Sequence, residues 1–324
     1  MSLIRDVYDW YDKITIRTIH LAYAVLNEGY LGNPAARKIR AILKSILHSQ
    51  EACTFHNRLD CRRCPKIESC IFYHFMVDDS LPRPYIIHMT NTRDWQGLLK
   101  QGEIKKFDIH LVGKASRLDE WFTRSLARKR LIGLEGLGKQ IIKLELESIS
   151  YSPTSGTFGV AEILEFYKAT GLWDGNDVEA VEISFETPLE IRKKKRILNS
   201  GEEITFKLFL KALYNRFTTV LSTYCSSQKD SIPPYCEFSS FAGEVRVSNN
   251  GLRFITNKPK KNSRIFRHHK SVEYVGGLKG KITFTGNLTP YFPAIALGSF
   301  LHVGRKITQG LGQYRITKVN SATS

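Results

Sequence analysis

An α+β protein of two similar halves, each an antiparallel sheet with helices on one face, is the fold class that three features of this 324-residue chain predict. Strand-like and helix-like patterns follow one another as strand, helix, strand, strand, helix, strand over residues 13 to 150. The second half, from residue 177 onward, repeats that order. Between them lies a stretch with Pro, Gly and Ser at both ends, and the 42% hydrophobic content is enough for two ordinary cores. This is the split βαβ pattern of a ferredoxin-like (RRM-like) domain, so the chain reads as tandem βαββαβ domains. The boundaries are 1–175 and 176–324, with a Cys-rich insert at about 51–78 in the first domain.

The elements are justified in turn. "KITIRTIHLAYAVL" (13 to 26) is rich in Ile, Thr and Val with partial alternation and reads as a strand. "NPAARKIRAILKSILHSQ" opens with Asn33 as an N-cap and Pro34 at the first helical position. Its Ile39, Ile42, Leu43, Ile46 and Leu47 recur at helical spacing. Arg37, Arg40, Lys44 and His48 line the opposite face as a basic stripe pointing away from the core. "RPYIIHMT" and "EIKKFDIHLVG" are strand-like, "SRLDEWFTRSLARKR" is helical, and "KQIIKLELESIS" is a strand. "YSPTSGTFGVAEILEFYKATGLWDGN" has the composition of a linker around a short helical core.

In the second half, "DVEAVEISFETPLEI" is a strand and "EEITFKLFLKALYNRFTTVLSTYC" is the longest helical pattern. "CEFSSFAGEVRVS" and "LKGKITFTGNL" bracket an irregular basic region, "PYFPAIALGSFLH" is a short buried helix, and "GQYRITKV" closes as a strand.

Charge narrows the function classes. Lys and Arg total 48 against 31 Asp and Glu, a formal charge of +17 and a pI near 9.6, which calls for a polyanionic partner. No apolar run approaches a membrane span and the first residues lack a signal-peptide core, so a soluble, cytoplasmic, nucleic-acid-binding protein is expected. "EIRKKKRIL" places Lys193, Lys194 and Lys195 together, and "NKPKKNSRIFRHHK" places Arg264, Arg267 and His268 around Phe266. Charge runs are commonly solvated hairpin tips. Two of them with the helix stripe and nearby aromatics suit the backbone and bases of single-stranded or hairpin RNA better than duplex DNA, since no helix-turn-helix or finger pattern occurs.

Six cysteines do not make a disulfide scaffold in a chain this long. Cys53, Cys61, Cys64 and Cys70 crowd together, and the Cys61–Cys64 pair with two residues between forms a metal knuckle. A structural zinc, an iron–sulfur cluster, or four incidental thiols fit this spacing, and His56 or His74 could replace a cysteine. A metal closed by four protein ligands leaves no position for substrate, so no catalytic metal is expected.

Near the end, "LHVGRKITQGLGQYRI" sets Arg305 and Lys306 among Gly304, Gly310 and Gly312. The glycines permit positive φ and close backbone approach, and the cations supply charge beside exposed N–H groups. This is no Walker loop, because G-x-x-x-x-G-K-[ST] is absent and the glycines follow a helix and lead into a strand.

The block "GGLKGKITFTGNLTPYFPAIALGSFLHVGRKITQGLGQYRI" resembles the C-terminal domain of the CRISPR precursor-RNA processing endoribonucleases of the RAMP superfamily. "VEISFETPLEIRKKKRIL", "FRHHKSVEYVGG" and "IGLEGLGKQIIKLE" are similar to further blocks of that family, and "CRRCPKIESCIFY" to the cysteine insert of one branch. The match departs at His302, where the family pattern has the first glycine of its loop.

The resemblance implies antiviral defense through metal-independent cleavage of CRISPR repeat RNA. The 2′-hydroxyl attacks the adjacent phosphate and leaves 2′,3′-cyclic phosphate and 5′-hydroxyl ends. It points to a histidine in or just after the first helix, hence to His48, with Lys44 one turn away as the phosphate-stabilising cation. His268 and His269 in the basic loop could serve instead, while His20 and His110 fall inside strands and read as packed. The alternative implied by the same fold is a non-catalytic RAMP-type guide-RNA-binding subunit of a CRISPR effector complex. Its further partners would be other effector subunits, with a monomer or homodimer as the assembly.

Overall fold

The computed structural model describes residues 10, 13–32, 35–48, 61–78, 83–152, 156–225, 232–256 and 276–322. The first half opens with β1 (Ile16–Val25) and the short β2 (Gly29–Leu31), then α1 (Ala35–Leu47). After the insert come β3 (Tyr85–His88), β4 (Gly97–Leu99), β5 (Ile104–Val112) and α2 (Asp119–Arg128), then β6 (Leu131–Glu135) and β7 (Ile141–Ser152). Its main sheet has the order β3-β5-β1-β7-β6, all antiparallel, and β2 pairs with β4 apart from it. With β6 set aside, this is the sheet order of a ferredoxin-like domain. Strand β6 is an addition at the edge. The strand read after α2 is β7, and the glycine-containing approach to it is itself a strand, β6, which pairs with it as a hairpin with Gly138 at φ 70° in the turn.

Alternation along the strands separates two faces. Ile19, Leu21 and Tyr23 of β1, Tyr85 and Ile87 of β3, and Phe107, Ile109 and Leu111 of β5 face α1 and α2 and form the first core. Helix α1 contributes Ala35, Ala36, Ile39, Leu43, Ile46 and Leu47, so the periodicity read from the sequence is the packing face. Thr18, His20, His88, Asp108 and His110 alternate onto the opposite face, away from the helices.

The second half begins with α3 (Val160–Ala169) and β8 (Val178–Leu189), followed by the hairpin β9 (Arg192–Lys193) and β10 (Arg196–Ile197). Next come α4 (Phe206–Tyr224), α5 (Tyr235–Phe238), β11 (Arg246–Asn250), β12 (Arg253–Thr256) and β13 (Gly276–Thr285). It ends with α6 (Phe292–Leu301) and β14 (Tyr314–Ser321). Its sheet runs β11-β13-β8-β14, with β12 also on β13. The ferredoxin-like order thus recurs, and the tandem α+β architecture expected from the sequence is the observed one.

The stretch with linker composition does more than connect. Val160, Ile163 and Tyr167 of α3 are buried in the second core, and the Tyr167 hydroxyl lies 3.0 Å from Ser299 Oγ of α6. Ile16, Ile86 and Val112 of the first sheet join the same cluster, and Ile16 exchanges two backbone hydrogen bonds with Phe158. The far face of the first sheet is therefore the bed on which the second half sits. Within the insert, Phe72, Phe75 and Met76 bury into the first core.

Candidate nucleic-acid interface

A cleft of about 600 Å³ opens between the two halves where α1, the lead into β3, α4 and the glycine-rich loop converge. Arg40 and Arg83 enter it from the first half, Lys211 and Arg216 from α4. Arg192, Arg305 and Lys306 close it from the β9 hairpin and the loop, opposite the carboxylate of Glu190. Among the described residues, seven cations against one carboxylate make a focused positive site between low-dielectric walls.

Two charges here are sunk into the protein. Glu190 is 1% exposed, with Lys306 Nζ at 3.3 Å, Arg305 Nε at 3.7 Å and Arg192 Nη2 at 3.9 Å. Arg216 is 9% exposed; its Nε donates to the Leu301 carbonyl at 3.2 Å and its Nη2 has no hydrogen-bond partner among the described residues. Burial lowers the Arg216 pKa to about 10, so the group stays cationic at neutral pH. A desolvated guanidinium with an open donor in a basic cleft is poised for an anion.

The glycine loop is built by close approach. Gly304 has φ 93° and a Cβ there would lie 2.7 Å from the Glu190 carbonyl. At Gly310 a Cβ would sit 2.3 Å from Ala36 Cβ at the start of α1, and at Gly312 1.7 Å from the Val303 carbonyl. Gly310 and Gly312 are buried, so their conformations seat the loop on α1 and on itself, while Arg305 is the exposed cation of the loop.

The helix stripe is present, with Lys44 exposed and Arg37, Arg40 and His48 half-buried; of these Arg40 lines the cleft. The His48 ring does not stand free: it packs on Phe72 of the insert, centroids 4.7 Å apart. Lys193, Lys194 and Lys195 are exposed at the β9–β10 turn, with Lys194 at φ 48° and Lys195 at φ 70°. Arg264, Arg267, His268 and His269 lie outside the described residues, as do Asn33, Pro34, Cys53 and His56. Cys61, Cys64 and Cys70 are half-buried, and among the described residues no group of three or more His, Cys, Asp or Glu side chains gathers to hold a metal ion. The Cys70 sulfur instead accepts from the Tyr73 N–H at 3.4 Å.

Sequence reasoning passed over a second cluster, on the far face of the first sheet. His20 Nδ1 lies 2.8 Å from Asp108 Oδ1, and His110 Nδ1 lies 2.8 Å from Thr18 Oγ1. His88 Nδ1 lies 3.1 Å from His302 Nε2 across the two halves. The protons on the last pair follow from Gln313. Its Oε1 accepts from the Met89 N–H at 3.1 Å and its Nε2 donates to the Met89 carbonyl at 2.7 Å, which fixes the amide. The same Nε2 stands 3.3 Å from His88 Nε2, which therefore accepts. His88 then carries its proton on Nδ1 and donates it to His302, leaving the His302 proton on Nδ1. Burial lowers the pKa of His88, takes His110 down to about 3, and holds His302 well below its usual value, so this chain is neutral. His20 differs: its bond to Asp108 raises its pKa. His302 sits at φ 57°, ψ 166°, a region glycine adopts readily and other residues only under constraint. That strain and the bond to His88 explain the departure from glycine noted in the sequence. The signal missed was the i, i+2 placement of Thr18, His20 and of Asp108, His110 on strands that pair.

Fold and cleft together describe a protein of two tandem ferredoxin-like sheets with a basic groove against its glycine loop. Residues 183–314 match the family model described as CRISPR-associated endoribonuclease Cas6, and residues 14–170 match a second model, AF_1859_N, an N-terminal domain. The second half of the chain is thus similar to the Cas6 endoribonucleases, the family its motifs resemble.

Similar solved structures include a partial Cas6-RT-Cas1–Cas2 complex, at 13% identity and TM-score 0.60, covering 96% of this chain and 47% of that one. Two Cas6 product complexes follow. One has 14% identity, TM-score 0.55 and coverage of 93% and 99%, the other 12%, 0.54 and 93% and 100%. The chain therefore spans about half of the RT-Cas1 fusion and nearly all of the Cas6 chains, and at these identities the likeness is one of fold. No curated protein matches the sequence. Among the described residues, no helix is long and apolar enough to cross a membrane.

Proposed function

We propose that this chain binds CRISPR repeat RNA in the cleft between its halves and cuts it by transesterification, leaving 2′,3′-cyclic phosphate and 5′-hydroxyl ends without a catalytic metal. The observation that carries the reading is the cleft itself, seven cations gathered by both halves beside the glycine loop, with the open Nη2 of buried Arg216 among them. Permanent charges of this kind neutralise phosphates in succession along a strand. The Cas6 endoribonuclease match at residues 183–314 supports RNA cleavage as the reaction.

In this reading Arg40, Arg216 and Arg305 hold the backbone, and Lys193 to Lys195 with Arg264, Arg267 and His268 extend the contact. From Arg40 the helix stripe leads on to Lys44 and His48, each about 6 Å further along the axis. His48 takes or returns a proton at the 2′-hydroxyl or the leaving oxygen, and Lys44 offsets charge on the phosphorane. Phe72 behind the imidazole fixes its plane.

Repeat RNA incubated with the protein in chelator tests this directly. A cyclic-phosphate product, lost when the scissile 2′-hydroxyl is replaced by hydrogen, is expected. Tight binding with no cut would instead identify a guide-RNA-binding subunit. For His48→Ala, a rate lower by two orders of magnitude or more is expected.

A further inference from the structure

The histidine-lined face of the first sheet encloses a cavity of about 680 Å³ between the two halves, within the size range of nucleotide sites. One wall is polar and comes from paired strands: His88, Asp108 and His20 stand directly opposite one another on β3, β5 and β1. The other wall is aromatic, with Phe158 and Phe166 before and on α3 and Phe300 on α6. Base faces stack on such side chains without regard to sequence.

Within this wall the groups have distinct standing. His88 is bonded at both ring nitrogens, as derived above, and is committed to joining the halves. His110 is 2% exposed, with Nδ1 against Thr18 and Nε2 lacking a hydrogen-bond partner among the described residues although the residue borders the cavity. His20 keeps 41% of its side chain exposed while Asp108, at 17%, holds its Nδ1. A carboxylate that fixes one imidazole nitrogen and leaves the other free is the arrangement that orients a proton-transfer histidine.

We propose that His20, oriented by Asp108, is the proton-transfer group of a second ribonucleolytic site, acting on an unpaired ribonucleotide seated in this cavity. It rests on RNA being the substrate of the chain, but uses none of the basic cleft's residues and lies on the sheet face opposite α1 and His48. The base stacks on the aromatic wall, and the orphan Nε2 of His110 meets a polar edge of the nucleotide. His20 Nε2 takes the proton of the 2′-hydroxyl as O2′ bonds to phosphorus. The P–O5′ bond breaks, its electron pair leaves on O5′, and O5′ takes a proton from water. The imidazolium then neutralises the hydroxide and returns to its starting form. Arg315, on the rim and 2.9 Å from Glu186, supplies the nearby cation. The titratable or charged groups that line the cavity with His20 are Asp108, His88 and His110 on its own sheet, Glu162 and Tyr167 on α3, and Tyr314 and Arg315 on β14. Asp108 is the positioning residue.

The test maps every cut made in an unstructured RNA, in chelator, by the wild type, His48→Ala and His20→Asn, each checked for folding by thermal melting. A set of cuts that survives His48→Ala and falls at least 100-fold in His20→Asn is expected. Asp108→Asn should keep those cuts while moving the acid limb of their rate–pH profile to lower pH, a shift that a merely structural carboxylate would not produce. Binding is read separately from the His20 ring resonances during titration with adenosine 3′-monophosphate, which should move in the wild type and in His48→Ala. A wild type that binds repeat RNA but cuts only through His48 overturns this inference alone. A wild type that neither binds nor cuts RNA overturns it together with the function proposed above. His20→Asn with every cut at the wild-type rate, or unmoved resonances, also sinks it.

Discussion

Two clefts lie between the halves of this molecule, and they hold charge in opposite ways. In the first, arginines and lysines are cationic at any physiological pH, and even buried Arg216 stays charged. In the second, burial holds His88 and His110 of the wall, and His302 behind them, neutral, while Asp108 raises the pKa of His20. A permanently charged groove suits a polyanion whose sequence need not be read, whereas a wall of tunable imidazoles suits proton movement. One segment serves both. The loop Gly304–Gln309 lines the basic cleft, and His302 and Gln313 at its ends reach across to His88 and Met89.

The comparison breaks most completely at Gly312. A Cβ there would sit 1.7 Å from the Val303 carbonyl at φ 70°, and neither atom can move without unseating the loop. Gly312→Val should cost upwards of about 3 kcal/mol and lower both RNA binding and the His88–His302 contact. Gly138 has the same φ of 70° with nothing within 4 Å of its Cβ position, so Gly138→Ala should cost only about 1 kcal/mol. Urea unfolding of the two variants separates strain from collision; equal losses would show that the loop's close approach does not matter.

Acid should separate the clefts next. Histidines whose folded pKa is depressed contribute stability that is complete above their unfolded value and is lost as pH falls through it toward the folded value. His88, His110 and His302 act in this sense, with the window opening below about pH 6.5. His20, raised by Asp108, acts oppositely: its contribution is complete below the unfolded value and lost as pH rises through the folded one. Below that point His20 is protonated in both states and adds no slope, so the three buried histidines give a loss of up to about 4 kcal/mol per pH unit on acidification. Unfolding free energies flat between about pH 7 and pH 5 would mean these imidazoles are not held neutral.

How much of this was legible beforehand follows from the same contrast. Period-2 and period-3.6 patterns located strands β1, β3, β5, β7, β8 and β14 and helices α1, α2, α4 and α6, because each has one face in water or at an interface and one in a core. The short β2, β4, β6, β9, β10 and β12 carry too few residues for a period to show. The basic elements were legible too, since lysine and arginine runs are local. What could not be read was convergence. Arg40, Arg83, Arg192 and Arg216 are far apart in the chain and meet only when the halves dock. His20 and His110 read as packed strand residues because the sequence does not show that the far face of the sheet borders a cavity. The linker composition around α3 hid a packed helix, its polar ends outweighing Val160, Ile163 and Tyr167. The glycines of the loop read as openings for a ligand, and Gly310 and Gly312 instead permit contact with Ala36 and Val303.

Arg216 sharpens the comparison from the basic side. Arg216→Met keeps the stem and removes a desolvated charge with an unused donor, so the thermal midpoint should hold or rise. RNA affinity should fall about tenfold, near 1.4 kcal/mol, and the slope of log affinity against log salt should drop by about one. Equal RNA affinity with reduced stability would make Arg216 a packing residue. Neither outcome touches the histidine cavity, whose ligand resonances should be unchanged.

The smallest effect expected is at the β9–β10 turn. A two-residue hairpin turn with both central φ values positive favours Asn-Gly, and here Lys194 and Lys195 occupy it at 48° and 70°. A lysine in the left-handed region costs roughly 1 kcal/mol relative to glycine, so strain at this position is retained where a cheaper residue pair exists. Replacing the pair, Lys194→Asn with Lys195→Gly, should stabilise the fold by about 1 kcal/mol in urea unfolding. If the turn reaches the RNA backbone, the same change lowers affinity by a few-fold and reduces the salt slope by up to two, the number of charges removed. Stabilisation with an unchanged salt slope would confine the basic interface to the cleft walls and leave these two lysines as solvent-facing charge.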